Sequence, residues 1–331
     1  MRRRLGYLHV PKTAGTSVTS AIQDAVADVA GRSDDPAGTA PASIAPFVMD
    51  TSLFGEFTDF DRMPTGHGVF RGDPAELATY DAVLGHFAVS TLLAGREPGD
   101  LVALFREPRA RLLSLYTYWR SWTDDRHASW DPYEASRVAT RLDWPGFLSE
   151  PAVAAQVDNA ATRLLLIPHA LIPDDGFIAA DHVPQLLDDA RTALDRLGHA
   201  DVIERGEECW ADLSAWLGAE VHVGHERTTA DGEHLDPATH FTPRSDDVLA
   251  ARTVLDAEVW RHAARRRGLD DEALDRLADR TWAARRTAAS AQPADSARPA
   301  APTGPAARAA SAVRGRVAAA WRRVSRRRAG R

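Results

Sequence analysis

One lysine, Lys12, stands against 39 arginines in this chain, in the stretch HVPKTAGTS at residues 9–17. A sequence that uses arginine wherever a generic positive charge will do has kept a lysine here. Its neighbours indicate why. Thr13, Ala14 and Gly15 are small and let the backbone approach a ligand, while Thr16 and Ser17 add hydroxyl donors. The run before the loop, LGYLHV (5–10), is rich in strand formers. After it, Val18, Ile22, Val26 and Val29 recur at helical spacing. A strand-to-helix loop offers unpaired N–H groups and the positive end of a helix dipole, which together attract anions. Lysine adds a compact charge on a flexible stem that can follow charge developing on one oxygen, which a planar arginine fork does less well. This chemistry suits gripping a phosphate or sulfate and stabilising its transfer. The order of residues is not that of a Walker A loop, where the lysine follows the glycines.

The second constellation is FREPRARLLSLYTYWR, residues 105–120. Arg106 ends an apolar strand, and Ser114 follows eight residues later on an amphipathic helix. An arginine at a strand end with a hydroxyl on the next helix suits a second phosphate. The plain alternative is an internally satisfied arginine and an ordinary helical serine.

Taken as a pair, the two stretches resemble motifs of the sulfotransferases that use 3'-phosphoadenosine 5'-phosphosulfate (PAPS). HVPKTAGTS resembles their phosphosulfate loop, and FREPRARLLSLY their 3'-phosphate motif with its Arg and Ser eight apart. The likeness is closer to the branch holding the heparan and uronyl 2-O-sulfotransferases and their bacterial relatives. GHF (85–87), VDNAATRLL (157–165) and LGHADVIERGEECWADL (197–213) look like that branch's Gly-His pair, Asn-x-x-Thr-Arg element and Gly-x-x-x-x-x-Glu element. The resemblance spans roughly residues 5–265.

The resemblance implies a P-loop-like fold and a role for each matched residue. Lys12, Thr13, Ala14, Gly15, Thr16 and Ser17 hold the 5'-phosphosulfate, and Arg106 and Ser114 hold the 3'-phosphate. Lys12 stabilises charge on the leaving oxygen, and no metal is needed. Other branches place a glutamate about two turns into the helix after the loop. Here those positions are Thr19 to Ala21, so a histidine serves as the base, with His86 the match and His67 the fallback. Arg163, with Asn159, either contacts the cofactor or forms an internal ion pair. Two other classes stay open: a P-loop-type nucleotide kinase or phosphotransferase, and a nucleotide-binding relative without turnover.

Charge narrows the acceptor. Residues 285–331 carry twelve arginines and one acid, leaving 28 basic against 46 acidic residues over 1–284. An acidic body is a poor general binder of nucleic acid or another long polyanion. The expected partner is therefore a hydroxyl-bearing acceptor such as a neutral glycan, a glycolipid or a small metabolite, with no nucleic acid. Trp119, Trp122, Trp130, Trp144 and Tyr133 crowd the region after the phosphate motif; they either stack on an acceptor or pin a long loop to the core. The basic tail, with Trp321, is either a solvated segment or a peripheral contact for an anionic membrane. One cysteine, Cys209, and no apolar leader or span point to a cytoplasmic protein.

Positioning these residues requires strands that alternate with helices. Strands are expected at 5–10, 80–87, 100–108 and 200–204. Helices are expected after Gly15, over 109–122, 151–166, 184–197 and 209–218, and over 245–266 with Ser245 as N-cap. The pattern predicts an α/β domain over residues 1–285, with a central, mainly parallel sheet flanked by helices. Residues 45–80 read as irregular and 123–150 as a connection. An Ala/Pro/Arg-rich tail, disordered or partly helical, follows over 286–331.

Overall fold

The runs at residues 5–9, 101–105 and 199–202 become strands buried along their whole length, and the run at 82–86 is buried up to its half-buried last residue. In this computed structural model, which describes residues 4–31, 43–44, 48–50, 68–70, 74–129, 135–224 and 235–291, the strands are β1 (Leu5–His9), β2 (Val48–Asp50), β3 (Gly68–Phe70), β4 (Ala82–His86), β5 (Leu101–Phe105) and β6 (His199–Val202). The sheet order is β3-β2-β4-β1-β5-β6 and every pairing is parallel. The body is the four strands β4-β1-β5-β6; the two three-residue strands extend one edge, within the region expected to be irregular. His67, Trp130, Tyr133 and the tail beyond Ala291 lie outside the described residues.

Runs without polar alternation are what a parallel sheet covered on both faces requires. The helices that cover and extend it are α1 (Gly15–Gly31), α2 (Pro108–Arg120), α3 (Trp144–Ser149), α4 (Ala160–Leu166), α5 (Val183–Arg196), α6 (Glu207–Leu217), α7 (Pro243–Arg265) and α8 (Asp271–Ser290). Tyr7, Leu84, Val102 and Leu104 pack against Val18 and Ile22 of α1 and against Cys209 and Leu213 of α6. On the opposite face Leu8, Val83, Ala103 and Val202 meet Ala190 and Leu194 of α5, Trp260 of α7 and Leu274 of α8. Burial pushes the Cys209 thiol well up, so it stays protonated and inert.

Several elements differ from expectation for identifiable reasons. Pro108 begins α2 rather than merely stopping β5, since a first-turn residue needs no N–H donor. Glu107 caps that helix by accepting from the Ala110 N–H at 2.7 Å. Ser245 is not the N-cap of α7. Thr242 is, and Ser245 closes a reciprocal capping box with it. The helix expected over 151–166 breaks at Asn159, whose φ is +51°. Short helices at Asp124–Ser129 and Ala135–Arg141, together with α3, occupy the connection expected over 123–150. Trp119, Trp122 and Trp144 are buried there against Leu112, Tyr116 and Phe147, which is the role of pinning the segment to a core. Helix α8 runs through residue 285 to Ser290, past the expected start of the tail.

The chain leaves β1 to build β2, β3 and β4 on one side, then crosses to place β5 and β6 on the other. That reversal opens a crevice at the carboxyl ends of the central strands, where open α/β sheets bind their ligands.

Candidate active site

Four adjacent strands deliver the expected residues to that one edge. The Lys12 loop leaves β1, His86 ends β4, Arg106 follows β5 and Glu204 follows β6. Lys12 has φ +70° and Ala14 φ +59°, while Thr13 between them does not share the left-handed region. Alternating backbone of this kind turns successive N–H groups into one concavity, an anion nest. Two non-glycine residues held this way in three positions cost about 1–3 kcal/mol each. The first helical bond of α1 runs from the Val18 N–H to the Ala14 carbonyl at 3.1 Å, so the N–H groups of Gly15, Thr16 and Ser17 precede the helical ladder. No acidic residue stands in the first turn to neutralise it.

The loop is braced from within. The Thr13 hydroxyl donates to the Val10 carbonyl at 2.8 Å and is fully buried. Thr13 thus shapes the loop from inside. Gly15 is required because the His9 ring occupies the space of a side chain: a Cβ there would lie 1.4 Å from Nε2. Burial, followed by the nearby His86 and Lys12, drives the His9 imidazole well below its usual pKa, so it stays neutral. Neutral His9 stacks on His86 with ring centroids 4.2 Å apart.

His86 is held in a defined tautomer. Its Nδ1 lies 2.6 Å from the His9 carbonyl oxygen. A carbonyl only accepts, so Nδ1 carries the hydrogen and Nε2 of the neutral ring carries the lone pair. This is the form a general base requires, with a backbone oxygen as the orienting group.

The cationic side is equally tied together. Arg106 donates from Nη1 to the Lys12 carbonyl at 3.2 Å, joining the two motifs across β1 and β5. Burial lowers the Arg106 guanidinium, opposed by the charges of Glu204 and Glu107. Glu204 accepts from the Glu107 N–H at 2.8 Å and from the Trp260 indole at 3.1 Å, so it latches the start of α2 to β6 and α7. Burial raises its pKa, and those same hydrogen bonds oppose the rise. Ser114 is buried on α2, one turn before Tyr118, whose ring faces the Lys12 ammonium 3.8 Å from its centroid. The Tyr118 hydroxyl accepts from Arg126 at 2.6 Å. Gly198, at the head of β6, is needed for close approach, since a Cβ would meet the Gly99 carbonyl at 2.0 Å.

Of the two roles open to the 157–165 element, cofactor contact and internal pairing, the structure shows the internal one. Arg163 is buried and pairs with Asp158 at 2.8 Å. It also donates to the carbonyls of Asp158, Pro173 and Gly176. With its donors committed inside the protein, the cofactor contact expected of Arg163 is replaced by the internal ion pair. Asn159 likewise points inward: its side-chain oxygen accepts from the N–H groups of Leu255 and Asp256 in α7.

Two residues reach the site without having been singled out in the sequence. Tyr118 lay in view in the motif, at a helical turn from Ser114. Arg285 arrives from α8 and donates to the Thr117 hydroxyl of α2. Nothing in the local sequence marks it, because its place depends on how α8 docks.

Among the described residues no group of three or more His, Cys, Asp or Glu side chains is placed to hold a metal ion. No helix among them is long and apolar enough to cross a membrane. No family model matches the chain, and no curated protein matches it.

Proposed function

We propose that the protein is a PAPS-dependent O-sulfotransferase with a P-loop-like fold. The observation that carries this reading is the convergence of the Lys12 nest, Arg106 and His86 on the carboxyl ends of three neighbouring strands. The nest and α1 terminus suit the 5'-phosphosulfate. Arg106 and Ser114 suit the 3'-phosphate. His86 Nε2 takes the proton of the acceptor hydroxyl as its oxygen bonds to sulfur. The sulfur–oxygen bond to the 5'-phosphate breaks on the opposite side, leaving its electron pair on that phosphate oxygen. Lys12 and the nest N–H groups meet the charge as it develops there, so their binding strengthens in the transition state. The products are a sulfate ester and 3'-phosphoadenosine 5'-phosphate. A neutral hydroxyl-bearing acceptor, a glycan, glycolipid or small metabolite, fits an acidic body better than a long polyanion does.

The test is a thermal-stability titration with 3'-phosphoadenosine 5'-phosphate in EDTA, with ADP as control. A ligand that binds only the folded state raises the melting temperature by mass action. A rise with the bisphosphate, absent with ADP and much reduced in Arg106→Ala, is the expected result. No rise, or an equal rise with ADP that depends on Mg²⁺, overturns the reading in favour of a phosphotransferase.

A further inference from the structure

Among the described residues Arg285 has no counter-charge. Arg106 has Glu204 and Glu107 within electrostatic reach, and Arg111 has Asp256. Arg285 is acted on by its own burial and by Arg106, a like charge; together these lower its pKa to about 10. Its Nε is buried with no hydrogen-bond partner among the described residues. Arg111, one turn before Ser114 on α2 and almost fully buried, leaves Nε and Nη1 in the same condition. Buried guanidinium donors are costly to leave unpaired, and mutually repelling guanidinia costlier still.

Two helices hold this cluster together. Thr117 donates its hydroxyl to the Leu113 carbonyl at 3.0 Å, which turns its lone pairs toward Arg285. Helix α8 is anchored beside α2 by Arg109, which pairs with Asp279 at 3.5 Å and lies over the Trp282 ring. The Leu235 N–H bonds to the Ala289 carbonyl at 3.0 Å near the far end of α8. Arg285 is therefore fixed by packing against a helix whose neighbouring positions already carry Ser114.

We infer that Arg285, carried by α8, completes an anion pocket with Arg106 and Ser114 and selects a donor bearing a second, dianionic phosphate. A guanidinium fork beside Arg106 matches the oxygens of a phosphomonoester and gains charge-assisted hydrogen bonds from it. A ligand with only a 5'-phosphate leaves the pocket unfilled and the repulsion unrelieved. The inference rests on the sulfotransferase reading of the site and names the residue that sets its donor specificity.

The experiment is calorimetric titration of the full chain and of Arg285→Gln, Arg285→Lys and Thr117→Val with two probes. The probes are 3'-phosphoadenosine 5'-phosphate and adenosine 5'-monophosphate, each in EDTA. Arg285→Gln is expected to lose about tenfold or more in affinity for the bisphosphate while leaving the monophosphate unchanged. Arg285→Lys regains part of the loss, and Thr117→Val, which frees the fork from its anchor, loses less than Arg285→Gln. Should Arg285→Gln fail to fold, Arg285→Lys and Thr117→Val carry the same comparison. Unchanged preference for the bisphosphate in the variants overturns the role of Arg285 alone, as does an equal loss for both probes. A wild-type chain that binds the two probes equally overturns the donor reading beneath it.

Discussion

On the proposed sulfotransferase reading, Lys12 and His86 divide the work of transfer between a charge and a lone pair, and their variants are expected to fail differently. Lys12→Ala removes the cation that meets the leaving oxygen, and turnover falls by roughly 10²–10³-fold. Lys12→Arg recovers only part, because a planar fork cannot follow one oxygen as a point charge does. His86→Gln removes the base, and turnover falls by roughly 10²–10⁴-fold. Bisphosphate affinity in His86→Gln is expected to stay within about twofold of wild type, since the proposed reading assigns His86 to the acceptor and not to the donor. Single-turnover rates with titrated donor separate the two; a His86 variant that lost donor affinity instead of turnover would refute the assignment. The loop backbone offers an independent check. Ala14 is exposed at φ +59°, a conformation that glycine adopts without penalty. Ala14→Gly is expected to stabilise the protein by about 1 kcal/mol, or roughly 2 °C in melting temperature. A loss of stability would mean that the loop is not strained.

The elements show which parts of the site a sequence can reveal. Lys12, Arg106 and Ser114 lie on units whose geometry is local, a strand, a tight loop and a helix, so spacing alone placed them. Thr13 kept its position but directs its hydroxyl into the loop, a matter of rotamer that spacing does not carry. The motif left two roles open for Arg163 and Asn159, because it records residue types and not partners: those of Arg163 lie nearby at Asp158, Pro173 and Gly176, while those of Asn159 come from α7, about 95 residues away. Asn159 inserts into that helix. Its N–H donates to the Arg252 carbonyl at 2.9 Å, and its side-chain oxygen accepts from Leu255 and Asp256. Asp256 in turn holds the first turn of α4 through the N–H groups of Ala161 and Thr162. Asn159→Ala would remove the side-chain acceptor of two N–H groups and lose a residue suited to positive φ. A cost of about 2–3 kcal/mol is expected by urea unfolding, with bisphosphate affinity unchanged in the folded fraction. Weakened affinity without lost stability would return Asn159 to the ligand.

At the scale of the whole molecule, burial of ionisable groups ties stability to pH. His9 and His199 are both buried, and both titrate below their ordinary range. For His199 burial is the main cause, helped by Arg267, Arg205 and Arg266 and opposed by Asp212, and its pKa falls to about 3. Its Nδ1 accepts from Arg267 at 2.9 Å, which a protonated ring cannot do. A depressed histidine pKa means that the unfolded chain binds the extra proton first. Stability is therefore fully present above the unfolded value, about 6.5, and drains away as pH falls toward about 3. The buried carboxyls of Asp201, Glu204 and Asp256 are shifted upward and work in the opposite sense, gaining stability as they protonate. A wild-type profile alone would mix the two, so the comparison must be with His199→Gln. Between pH 7 and 5 the wild type is expected to lose more stability than the variant. The difference approaches about 1.4 kcal/mol per pH unit below 6.5. Urea midpoints measured across that range decide it, and parallel profiles would show that His199 folds as readily charged as neutral. The same linkage bears on the candidate site, because neutral His9 stacks on the His86 ring with centroids 4.2 Å apart. A chain that unfolds as His9 and His199 charge would lose the stacked His9–His86 pair and its sheet edge together in acid.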